Sequence, residues 1–131
     1  MTDRLDVATR KGLFTIERRN GAWAVAGTAF LGDNCSMVLR DPRSPATVYC
    51  ALDHGHFGVK LHRTDDDGRT WSEIGVPAYP PMPEGYEPKR RPEAGEPVPW
   101  DLKLVWTLET GGTDEPDALL AAIQSVTTNR T

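Results

Sequence analysis

Three groups of residues carry side chains able to do chemistry. The densest is Thr64-Asp65-Asp66-Asp67-Gly68-Arg69-Thr70-Trp71, with three consecutive carboxylates inside a turn. An acid and a base acting on a glycosidic bond must face each other across a cleft. Neighbours in one turn do not, so these aspartates make a poor catalytic pair. The spacing suits a structural task instead. A carboxylate at Asp66 can accept hydrogen bonds from N–H groups two to four residues on and lock the turn. Gly68 supplies a positive φ, and Trp71 re-enters the sheet as an apolar anchor. The second group is the turn Arg10-Lys11-Gly12, whose cations can neutralise an anionic group. The third is Asp53-His54-Gly55-His56-Phe57, where His54 or His56 can move a proton near neutral pH. Asp53, His54 and His56 lack the further ligands that would make a metal site. The plain alternatives are a solvated basic turn and a hydrogen-bonded hairpin tip.

The elements that must hold these groups read as strands. Helical periodicity is almost absent before residue 115, and short β-branched and aromatic runs bounded by turn residues recur instead. The first unit is Leu5–Thr9, Leu13–Arg18 and Trp23–Gly27, with Asn20-Gly21 as a type I′ hairpin signal between the last two. The second unit runs Met37–Arg40, Thr47–Leu52, Gly58–Arg63 and Trp71–Ile74. Laid together, Val7-Ala8-Thr9, Asn20-Gly21 and Trp23 fall opposite Cys50-Ala51-Leu52, Asp67-Gly68 and Trp71. A third copy opens at Trp106-Thr107-Leu108-Glu109, and 116–122 resembles 45–51 at an offset of 71 residues. Trp100–Leu104 reads as a separate strand entry, and Trp100 and Trp106 as sheet packing. Repeats of one small sheet in fixed order bury their faces only against neighbouring copies, the pattern of propeller blades.

Composition narrows the function classes. The chain has 131 residues, the length of one ordinary domain, and a net charge of −4, which leaves no basic footprint for nucleic acid. An apolar share of 38%, with 12 Gly and 11 Pro, points to many turns around a thin core. The acidic N-terminus carries no secretory signal and no apolar run is long enough to span a membrane, so a cytoplasmic, non-membrane protein is expected. Cys35 and Cys50 stand apart without a CxxC pattern and read as two free thiols packed in strands rather than zinc ligands. Neither a cofactor nor a metal is expected. Eight of the 11 prolines fall within 77–99, an insertion read as a solvated loop or as a lid at the rim of a site.

The octet Thr64–Trp71 fits Ser/Thr-x-Asp-x-Gly-x-Thr-Trp at every defined position and so resembles the Asp-box, or bacterial neuraminidase repeat, of the sialidase-like β-propellers. Asn20-Gly21-Ala22-Trp23 is a degenerate counterpart. The resemblance implies an all-β partial propeller of antiparallel four-stranded blades in an incomplete ring: 1–34 an incomplete first blade of three strands, 35–76 a complete blade, 77–99 the insertion, and 100–131 the start of a further blade with a truncated tail. It implies that the box, with Thr64, Asp66, Gly68, Thr70 and Trp71 as its structural residues, joins the third and fourth strands on the face away from the active site. Arg10, Lys11, His54 and His56 then fall on the ligand face. Sialidase-type enzymes use three arginines, a Tyr nucleophile helped by Glu, and an Asp acid. Only Arg10 is a candidate for that set, by position alone. The expectation is a glycan or anionic small molecule as ligand of a full-length parent, an inactive isolated chain, and self-association through open blade edges. A non-enzymatic protein-binding scaffold is the competing expectation.

Overall fold

The computed structural model describes residues 3–78, 81–85, 87 and 102–125. Among these, nine strands follow one another: β1 (Arg4–Thr9), β2 (Gly12–Arg19), β3 (Ala22–Ala29), β4 (Asn34–Arg40), β5 (Val48–Asp53), β6 (Val59–Thr64), β7 (Ser72–Ile74), β8 (Leu102–Thr110) and β9 (Leu119–Ser125). They form three sheets with orders β1-β2-β3, β4-β5-β6-β7 and β8-β9. Every pairing is antiparallel. The all-β expectation therefore holds at the level of class.

Turn chemistry sets this order. Asn20 (φ 52°) and Gly21 (φ 78°) take the two positive-φ positions of the β2–β3 hairpin. At the β1–β2 turn the Thr9 hydroxyl accepts from Lys11 N–H at 3.0 Å and donates to the Gly12 carbonyl at 2.8 Å. Gly12 is required there, because a Cβ would meet the Ala29 carbonyl oxygen at 2.9 Å. Asp41 opens the β4–β5 turn by accepting from Arg43 N–H at 2.8 Å.

The middle sheet is covered on both faces. Val48 through Leu52 are consequently buried without a break, as in any strand with no solvated side. On one face Cys35, Cys50 and Leu52 pack with Leu13 of the N-terminal sheet, joined by Phe30 and Trp71. On the other, Tyr49, Ala51, Val59 and Leu61 pack with Val105 and Leu108 of the C-terminal sheet. Each fully buried Leu or Val contributes roughly 1.5–3 kcal/mol. The outer sheets leave Leu5, Trp23 and Val25 at one end of the stack and Trp106 and Leu120 at the other exposed.

Several local readings change. Leu102–Leu104 is the beginning of β8 rather than a separate strand, and β9 continues to Ser125. Trp106 sits at a bulge between Val105 and Thr107 and is 52% exposed, so it is not a packed sheet residue. The His54-Gly55-His56 tip is a single 3-10 turn over Gly55–Phe57. Of the Pro-rich segment, the described residues form no strand, and Glu84-Gly85 makes a turn. The rest of that segment, Trp100 and the tail from 126 lie outside the described residues. Among the described residues no helix is long and apolar enough to cross a membrane.

Candidate functional site

The β6–β7 corner concentrates the polar chemistry of the chain, and its three aspartates do three different things. Asp66 closes the corner. Its Oδ1 accepts from the Thr64 hydroxyl at 2.7 Å and from Thr70 N–H at 2.8 Å, while Oδ2 accepts from the Thr70 hydroxyl at 2.6 Å. The Thr64 hydroxyl also accepts from Gly68 N–H at 2.9 Å. Hydrogen bonds from the Thr70 hydroxyl and amide, then from Thr64, hold the Asp66 carboxyl down at about 2. Asp67 (φ 58°) and Gly68 (φ 86°) supply the positive-φ pair. Trp71 packs edge-on against Phe30, with ring centroids 4.9 Å apart.

Asp65 ties the corner to its own sheet. Its Oδ1 accepts from the Thr47 hydroxyl and from Arg63 Nε, both at 2.9 Å. Asp67 ties it to the neighbouring sheet, accepting from Arg4 Nη1 and Nη2 at 2.9 Å each in a bidentate pair. Arg40 Nη1 donates to Asp67 at 2.8 Å, and Arg40 Nε and Nη2 donate to Asp6 at 2.8 and 3.0 Å. Two arginines and two aspartates thus form one neutral network between the N-terminal and middle sheets. Such forked pairs are the geometrically specific kind. Arg4 and Arg40 keep the Asp67 carboxyl below its ordinary range, and Arg63 with Thr47 does the same for Asp65. All three aspartates are held ionised, so none can be a general acid near neutral pH.

The β4–β5 turn repeats this in the other direction. Arg43 is forked onto Asp41 at 3.0 Å and extends to the carbonyls of Glu115 (3.0 Å) and Ala118 (3.2 Å) in the C-terminal sheet's turn. Arg40 and Arg43 therefore reach opposite neighbours from one hairpin.

The β1–β2, β3–β4 and β5–β6 turns lie at the other end of the strands, since consecutive turns of a meander alternate ends. Gly32 N–H donates to the Lys11 carbonyl at 3.0 Å, which sets the β3–β4 connection beside the Arg10-Lys11 turn. Both cations are exposed. His54 precedes the 3-10 turn and its N–H donates to the Gly58 carbonyl at 2.9 Å. His56 lies within that turn, and its side chain is outside the described set. His54 Nε2, His62 Nδ1 and Trp71 Nε1 are buried without a hydrogen-bond partner. His62 stacks obliquely on Phe30 at 5.0 Å, and burial pushes its pKa down. Among the described residues, no group of three or more His, Cys, Asp or Glu could hold a metal ion.

A cleft of ≈ 270 Å³ lies between the N-terminal and middle sheets, lined by Arg4, Asp6, Thr15, Glu17, Arg40 and Trp71 among others. Its charged walls are largely spent on one another. The inter-sheet roles of Arg4, Asp6, Arg40 and Arg43 escape a reading of the sequence alone. One signal for them existed: strand alternation puts Arg4, Asp6 and Ala8 on one side of β1 and Leu5 on the other, and the first side meets the middle sheet while Leu5 stays exposed.

Comparison of the chain with known proteins finds no family model that matches it, and no curated protein matches it either.

Proposed function

We propose that the three stacked sheets are blades of a sialidase-like Asp-box β-propeller, with Thr64–Trp71 as the box. A complete ring of such blades binds or hydrolyses a glycan or another polar ligand at the end opposite the box, and the 131-residue chain alone is catalytically silent. The observation that carries this reading is the corner itself. Asp66 is bonded to Thr64 and Thr70 as a staple, inside a sheet whose strand order is β4-β5-β6-β7 and whose neighbours stack face to face on it. The box is structural in this reading, and Arg10, Lys11, His54 and His56 belong to the ligand-facing end. A pocket on a propeller axis takes its walls from every blade, which is why three sheets do not suffice for turnover.

The second reading is a non-enzymatic propeller that binds proteins. The exposed Trp106 and Leu120 on the outer sheet favour it, because an apolar strip of this kind suits a protein partner as well as a further blade. Glycan-array binding and hydrolysis of fluorogenic glycosides by the protein in its complete ring separate the two. Glycan binding that weakens on Arg10→Ala supports the first reading. A complete ring that neither binds nor cleaves any glycan overturns it in favour of the scaffold.

A further inference from the structure

Cys35 of β4 and Cys50 of β5 are both free thiols, and their Sγ atoms lie 2.7 Å apart. That is within about 0.7 Å of a sulfur–sulfur bond of roughly 2.05 Å. The register explains the approach. Cys35 is opposite Leu52 and Val38 is opposite Cys50, with Ser36 bulged between them, so the two cysteines are diagonal neighbours on the face that meets the N-terminal sheet. Both are sealed there, at 3% and 0% exposure.

We propose that Cys35 and Cys50 are a redox couple, closing to a cross-strand disulfide in the presence of an oxidised low-molecular-weight thiol such as glutathione disulfide. In the first step one of the two thiols loses its proton, and its thiolate attacks one sulfur of glutathione disulfide and releases one glutathione thiolate, which takes up a proton. The other cysteine then loses its proton, and its thiolate attacks the protein sulfur of the mixed disulfide and releases the second glutathione as a thiolate, which takes up a proton. Two electrons and two protons pass from the cysteines to the two glutathiones. With the sulfurs 2.7 Å apart, whichever cysteine is captured first has the other already within reach to resolve it. Burial makes the exchange wait on local opening between the two sheets.

The bond has a structural consequence outside its own strands. It closes the segment 35–50, and that segment carries Arg40, which is bonded to the N-terminal sheet, and Arg43, which is bonded to the C-terminal one. Oxidation therefore stiffens the hairpin from which both junctions are made. The proposal stands whether or not the sheets belong to a propeller.

The test is a redox titration of the 131-residue chain in graded glutathione buffers, once under native conditions with the β-sheet circular dichroism intact and once in concentrated urea. Acid quenching, alkylation and peptide mass mapping read the products. The native chain should form the Cys35–Cys50 link at an oxidant ratio about 100-fold lower than the unfolded chain, since folding has already brought the sulfurs together. Its Tm should rise by roughly 5 °C or more on oxidation. The Tm of Cys35→Ala should not respond to the oxidant. Equal ratios in the two conditions, separate glutathione adducts in place of the internal link, or a Cys35→Ala variant that still responds would each overturn the proposal.

Discussion

Two corners of the molecule share a positive-φ pair and differ in loop length and in the side chains around it. The β2–β3 corner uses Asn20 and Gly21, with φ of 52° and 78°, and the β6–β7 corner uses Asp67 and Gly68, with φ of 58° and 86°. The first is a bare hairpin exposed at the sheet edge. The second begins with a buried Thr64 and recruits Thr47, Arg63, Thr70, Arg4 and Arg40 through three consecutive carboxylates. A positive-φ pair is enough to reverse the chain. Making that reversal a joint between sheets takes acceptors aimed in three directions, and a run of Asp at the turn provides them at adjacent positions.

The contrast is broken most severely by Arg40→Ala. This substitution removes the forked partner of Asp6 and one partner of Asp67, and it leaves the Asp6 side chain, only 13% exposed, without its cation. After discounting for the exposed part of the network, a loss of about 2 kcal/mol is expected in urea unfolding. No change in the midpoint would show that the network does not hold the sheets together. Next come the paired variants Gly21→Val and Gly68→Val. A Cβ at Gly21 meets nothing within 4 Å, and one at Gly68 meets only the Trp71 ring at 3.8 Å. Both should therefore lose a similar 1–2 kcal/mol from φ strain alone, roughly. A much larger loss at Gly68 would mean that the ring contact is tight.

The side chains should then separate what the glycines do not. Asp66→Ala removes three acceptor contacts and should lower Tm by roughly 5 °C, whereas Asn20→Ala should cost about 2 °C or less. Equal shifts would reduce both corners to simple hairpins. The smallest effect is the response to acid. The Asp66 carboxyl titrates at about 2 in the folded chain, below its ordinary value of 3.8. In that window the unfolded chain binds more protons, so Asp66 stabilises fully above about pH 4, and its contribution fades as pH falls towards 2. Acid unfolding of wild type and Asp66→Ala should converge at the low end of that window.

Much of the fold was legible because its turns carry residues whose backbone needs are special. Asn20-Gly21 and Asp67-Gly68 announce positive φ, and Asp41-Pro42 announces a turn. The β-branched runs between them have no helical period. The internal arrangement of the Thr64–Trp71 corner was legible for the same reason, since Asp66 bonds within reach of its own sequence. Asp67's partner Arg4 lies 63 residues away. That pairing depends on how two sheets stack, which no local pattern encodes. The bulge that turns Trp106 outward and the continuous run of Leu102 into β8 were likewise hidden, because alternation assumes a regular register and a bulge breaks it. The histidine turn read as a hairpin tip, yet a third residue in 3-10 conformation changes where its side chains can stand.

The joint role of the β6–β7 corner is tested most directly by a double-mutant cycle between Arg4 and Asp67. Unfolding free energies of Arg4→Ala, Asp67→Ala and the double variant should show a coupling of about 1 kcal/mol, modest because the bidentate pair is partly exposed. Strictly additive single effects would contradict the account: Asp67 would then belong to its own turn alone, and the two sheets would be held by apolar packing without it.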